Sequence, residues 1–276
     1  MKTVYRRYIL TCMASLMAVC MVSACSSDKN GDASNYEKIL SNDSIPDVIK
    51  SVVKAVYEND SEGFAKVVDY PLQRPYPLKD ILNEDEMKAY YPVLVDDSLR
   101  NVITDSSPAD WQEYGWRGYS LKDGSYLWIG ENIYDIGYVS AKEQAMIDSL
   151  SLLESNSLPE QIRQGWKPVL TLLSNEDGKV YRIDIKTETR EAPVYRLSIY
   201  NHASDKPSLG GIPDEMINGY MTVEGSANVV SYIFHGREGN DYIISPDDPS
   251  SGSPILTLPD GDEEELQKAY WYELIK

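Results

Sequence analysis

Apolar positions fall into distinct regimes along the chain. Residues 9–22 are an almost uninterrupted apolar run behind Lys2, Arg6 and Arg7, too short to span a bilayer comfortably as a helix. Residues 26–44 are small and polar and read as a flexible tether. From residue 45 the spacing turns helical. Ile45, Val48, Ile49, Val52, Val53 and Val56 mark one face of a helix, with Ser44 as its N-cap and Pro46 in its first turn. Asn59-Asp60-Ser61 ends that helix and caps a short one over 62–68. Pro71, Pro75 and Pro77 keep the next stretch extended. Further helices are predicted from 83 or 84 to 91 and from 96 onward, the latter with Leu99, Val102 and Ile103 apolar.

Between 111 and 139 the pattern reads as strands. Residues 119–121 and 126–129 flank Lys122-Asp123-Gly124-Ser125, and Asp-Gly between such runs predicts a hairpin. Residues 133–139 give a further strand. Residues 141–153 return to a helix with Ala145, Met146, Leu150 and Leu153 on one side, and Asn156, Ser157 and Pro159 mark a boundary. Strands follow over 169–173, 180–185, 194–200, 220–223, 229–234 and 241–244. Residues 255–258 and 269–275 read as a terminal hairpin around Pro259-Asp260-Gly261-Asp262, since Tyr270, Trp271 and Tyr272 favour a sheet. The alternative is a terminal helix capped by Asp262, with Glu263, Glu264 and Glu265 in its first turn. The expected class is α+β: residues 45–156 form a helix-and-sheet domain, and 157–276 a mostly-β sandwich or barrel.

Charge and cysteine content sharpen the reading of the N-terminus. The chain of 276 residues carries a net charge of −18, which disfavours nucleic-acid binding through a basic field. The basic leader and apolar run end in Val22-Ser23-Ala24-Cys25, the order of a bacterial lipoprotein signal, with 1–24 removed and Cys25 lipidated. The first 24 residues hold three basic groups and no acidic one, so their loss takes the charge to −21. Cys12 and Cys20 leave with them and Cys25 takes the acyl chains. The folding part then holds no thiol for catalysis, zinc or a disulfide. The expected location is the cell envelope, lipid-anchored: outer membrane, periplasmic face or surface.

Motifs for chemistry are sparse. No G-x-S-x-G, G-x-G-x-x-G or Walker-type loop occurs. His202 and His235 are the only histidines, too few for a three-His zinc site. The acidic stretches Asp28–Asp32, Asp247-Asp248, and Asp260 with Asp262–Glu265 match no calcium-loop spacing and read as tether or solvated surface. No metal or cofactor is expected. Aromatics are the one unusual count: 21 Tyr and 5 Trp against 2 Phe. Rings with a polar edge suit a wet interface or sugar stacking as well as a core. Trp111, Tyr114, Trp116 and Tyr119 are the densest cluster.

Ser61-Glu62-Gly63-Phe64, Tyr70-Pro71-Leu72, Tyr90-Tyr91-Pro92, Trp111, Gly118-Tyr119, Asp123-Gly124 and Trp128 together resemble the NTF2-like family over 45–139. The resemblance implies a cone of helices on a curved antiparallel sheet with a pocket at its open end. It places Trp111, Trp116, Tyr119, Trp128 and Asp135 at that pocket or on an adjoining surface. Family enzymes use a His–Asp or tyrosine–carboxylate set in the cone. With no histidine in this stretch, the resemblance offers a tyrosine–carboxylate set, for which Asp135 with Tyr119 or Tyr138 is a candidate. The leading expectation is a binding module for a glycan, a peptide or an envelope protein. An isomerase or hydrolytic-type enzyme with a Tyr/Asp pair, and a structural scaffold of an envelope complex, are the alternatives.

Overall fold

The computed structural model describes residues 34–187, 192–201, 209–225, 229–236, 241–247 and 253–275. The expected signal 1–24, Cys25, residues 26–33 with their acidic stretch, His202 and Asp248 lie outside the described residues.

Side-chain caps set most of the N-terminal helices. Helix α1 (Asn35–Leu40) opens on a reciprocal box in which Ser34 and Glu37 each accept the other's backbone N–H. This corrects the tether expectation for residues 34–44. Ile39 is fully buried and Tyr36 stacks on Tyr57 at 4.0 Å, so the segment belongs to the core. Helix α2 (Asp47–Glu58) starts after Pro46, not at Ser44. It ends at Asn59, whose φ of 57° makes a left-handed cap. Asp60, Asn83 and Asp96 cap α3 (Ser61–Ala65), α4 (Glu84–Leu94) and α5 (Asp97–Thr104). A four-stranded antiparallel meander follows in sequence order: β1 (Trp111–Glu113), β2 (Tyr119–Leu121), β3 (Leu127–Ile129) and β4 (Ile133–Asp135). The β2–β3 hairpin turns through Lys122, Asp123 and Gly124, all at positive φ. Strand β4 stops at Asp135, short of the predicted 139. Helices and meander share one hydrophobic core from Ile39 to Ile136, mostly aliphatic with Phe64, Tyr91 and Trp111.

Helix α6 (Ala141–Ser157) and α7 (Glu160–Arg163) lead into an eight-stranded closed barrel, antiparallel throughout. Its strands are β5 (Lys167–Ser174), β6 (Val180–Lys186), β7 (Val194–Tyr200), β8 (Glu215–Glu224), β9 (Val229–His235), β10 (Asp241–Ser245), β11 (Ile255–Thr257) and β12 (Glu263–Ala269). Inward residues such as Leu172, Ile183, Leu197, Phe234, Ile244 and Leu266 fill the interior, as eight strands require. The terminal hairpin exists, but its second strand is the acidic β12 and not 269–275. Closing the barrel needs β12 between β11 and β5, and those backbone bonds override local propensity. The same pairing removes the alternative of a helix from Asp262. Trp271–Leu274 form a short helix, α8, with Trp271 fully buried.

Helix α6 inverts the usual burial. Its buried residues are Glu143 and Glu154, while Leu152 and Leu153 are 62% and 48% exposed. Eleven residues are three turns, so both carboxylates share a face. Glu143 accepts Nε and Nη2 of Arg74 at 2.9 and 3.0 Å and the Tyr90 hydroxyl at 3.0 Å. Arg74 also donates to the carbonyls of Ile136 and Tyr138. Glu154 accepts the Tyr76 hydroxyl at 2.8 Å and Arg182 at 3.3 Å. Burial pushes the Tyr76 hydroxyl well up, so it stays a donor. On the barrel's outer face Arg182 also pairs with Asp184, which pairs with Arg196. Trp271 and Trp166 lie over the two guanidiniums at 4.7 and 4.3 Å. The segment 70–82 crosses from the helices to the barrel. Asp80 pairs with Lys268 at 2.6 Å, its N–H donates to the Tyr270 hydroxyl, and Lys79 pairs with Glu273.

Removing Arg74 strands a fully buried carboxylate. Arg74→Ala is expected to cost about 3–5 kcal/mol in urea unfolding. Lys66→Ala, which breaks the exposed Lys66–Glu62 pair, is expected to leave the midpoint in place.

Candidate functional site

Alternation along three-residue strands decides which aromatics face solvent. Trp111, Leu121, Leu127, Ile129 and Ile133 point into the core. Gln112, Ser120, Trp128 and Asp135 form a cross-strand row on the other face. A short helical turn, Gly115–Arg117, interrupts the chain between β1 and β2 and presents Trp116 at 80% exposure. Gly118 closes the turn at φ 78°, where a Cβ would collide with the Ile129 carbonyl. Gly124 lies against the Trp128 indole with no room for a side chain.

The result is an aromatic platform on the outer face of the meander. Tyr114 and Trp128 lie 5.1 Å apart between ring centres, and Trp128 and Tyr134 lie 6.4 Å apart. The Arg117 guanidinium covers Trp116 at 5.4 Å. Polar groups are fixed among the rings. The Tyr114 hydroxyl sits 2.9 Å from Gln112 Oε1 and 3.3 Å from Asp123 Oδ1, and the Tyr134 hydroxyl donates to the Arg117 carbonyl. Ser120 Oγ and Arg117 Nη2 are buried without a hydrogen-bond partner. Ser120 is fully buried, so its hydroxyl lies below the platform surface.

The platform gathers Trp116, Trp128 and Asp135 from the residues the sequence singled out. It leaves out two. Trp111 is 5% exposed and donates Nε1 to Ser106 Oγ, so it is a core residue. Tyr119 is half-buried on the core face, opposite to Asp135. Gln112, Arg117, Ser120, Asp123 and Tyr134 join the site without having been foreseen. The period-2 alternation could have added Gln112 and Ser120, but the strands are too short for their faces to be read alone.

The Tyr/Asp pair is not assembled. Tyr119 and Asp135 lie on opposite faces, and Tyr138 donates to Asp96 at 2.8 Å. Burial works to raise Asp96, yet the Leu99 N–H, the Tyr138 hydroxyl and the Ala141 N–H outweigh it and hold the carboxyl below its ordinary value. Asp135 itself is pushed above its ordinary value by burial, against the pull of Arg74 and the Ile136 N–H, but neither tyrosine is placed to work with it. His235 sits at the end of β9 with Nδ1 2.9 Å from Asp241. Among the described residues no three metal-ligating side chains cluster, and no helix is long and apolar enough to cross a membrane.

A hollow of about 400 Å³ lies between the 70–82 segment, α4, α6 and α8. Leu78, Ile81, Ala89, Met146, Leu150 and Tyr272 line it. No protein-family model, curated protein or solved structure matches the chain.

Proposed function

We propose that this protein is a lipid-anchored binding module of the cell envelope that holds a neutral saccharide on the outer face of its meander. The observation that carries the reading is the platform of Tyr114, Trp116, Trp128 and Tyr134, exposed or half-exposed beside the unpartnered Arg117 Nη2. A sugar ring offers an apolar C–H face for such rings and hydroxyls at its edge. Gln112, Asp123 and Asp135 are placed to accept from those hydroxyls, and Arg117 to donate. The carboxylates at the platform favour a neutral saccharide over a polyanion. The NTF2-like likeness enters this reading as helices on an antiparallel meander, with the ligand on the outer sheet face in place of an internal cone pocket. The anchor enters through Cys25 and the leader before it.

Trp116 is so exposed that its removal spares the fold. Titration of oligosaccharides found on a neutral-glycan array is expected to show Trp116→Ala weakened roughly three- to tenfold, with an unchanged unfolding midpoint. Equal binding by Trp116→Ala, or no neutral glycan bound, would overturn the reading. For the anchor, an alkyne fatty acid fed to expressing bacteria is expected to label the wild-type protein and not Cys25→Ala. Equal labelling of both contradicts lipidation at that residue.

A further inference from the structure

The platform leaves the hollow beside α6 unused, and the composition of its walls is unlike the platform's. Met146 and Leu150 are one helical turn apart on α6, and Leu153 continues the row a turn later. Met146 is 40% exposed and Leu153 48%. Leu78 and Ile81 from the 70–82 segment and Tyr272 from α8 form the facing wall. The wall bears no strand edge, so an extended peptide has no backbone to pair with, whereas a helical ridge matches a groove between helices.

Charge selects the occupant. Asp80 and Glu86 line the groove, and Glu84 and Asp85 lie beside Glu86 in the first turn of α4. Lysines in the vicinity are already engaged: Lys79 with Glu273, Lys88 with Asp85 and Lys268 with Asp80. Those three pairs also neutralise Asp80, Asp85 and Glu273, so the excess of carboxylate at the rim comes from Glu84 and Glu86, within a chain of net charge −18. A second copy of this chain or an anionic lipid is repelled.

We propose that this groove docks an amphipathic helix of a partner protein, apolar along one ridge and rich in Lys and Arg beside it. The proposal is independent of saccharide binding.

The test uses the purified full-length protein and two labelled 15-residue amphipathic helical peptides, one Leu/Lys and one Leu/Glu, followed by fluorescence anisotropy. Met146→Glu places a charge in the groove. Leu152→Glu makes the same charge change at a 62% exposed position that is not part of the groove wall. The Leu/Lys peptide is expected to bind the wild type and Leu152→Glu alike, and Met146→Glu more weakly by on the order of tenfold. Simple charge attraction would tighten binding to both variants. The proposal fails if the Leu/Lys peptide does not bind, if the Leu/Glu peptide binds as well, or if the two variants behave alike. Thermal unfolding at the wild-type midpoint for both variants ties the loss to the groove and not to the fold.

Discussion

Glu143 and Arg74 meet where neither has solvent to fall back on. Each is fully buried, the guanidinium grips the carboxylate through two nitrogens, and Nη1 and Nη2 also donate to two carbonyls. A buried ion pair of this kind adds little net stability over apolar packing, but it tolerates no misplacement, because either charge alone is costly. It therefore fixes where the 70–82 segment lies against the first turn of α6. Three turns later Glu154 repeats the arrangement with Tyr76 from the same segment and Arg182 from the barrel. One helix face thus orients a helix-and-meander half and a barrel through charges, with hydrophobic cores on either side.

Spending the buried face of α6 on carboxylates has a consequence for its apolar residues. With Glu143 and Glu154 inside, Met146 and Leu150 are left to wall a groove, and Leu153 is 48% exposed. The outer face of the barrel at β5–β7 would normally be polar toward water. Here Arg182, Asp184, Arg196 and Tyr200 lie under α6, α7, Trp166 and Trp271, and the charge cluster is what lets that face be covered. Rings with polar edges recur in these contacts. Trp271 donates Nε1 to Ser157 while packing on Arg182, and Tyr76 reaches Glu154 and Thr171. Part of the excess of Tyr over Phe is explained by this lining of a polar core, and part by the meander platform.

Local signals were legible in the sequence wherever the physics is local. The Val and Ile spacing of α2, the caps at Asp60, Asn83 and Asp96, and the Asp123-Gly124 turn all depend on residues within a few positions of each other. Barrel strands were readable from alternation. What could not be read depends on distant partners. Nothing near Glu143 or Glu154 announces burial, since their arginines lie 69 and 28 residues away. Strand β12 carries three consecutive glutamates and looks helical or solvated until β11 and β5 are placed on either side. The site was half legible for the same reason. The ring count pointed to residues 111–128, but Trp111 and Trp116, five positions apart, ended in a core and on a surface because Trp111 sits on a strand and Trp116 in the turn that follows it.

Native-state hydrogen exchange addresses the coupling through α6 most directly. If the buried charges make one cooperative unit, the best-protected amides of α2 and of β6 will exchange through a common global opening, with the same free energy and the same denaturant slope. Two separate openings, with α2 exchanging while β6 stays closed, would show that α6 joins two independently stable halves and would refute the coupling.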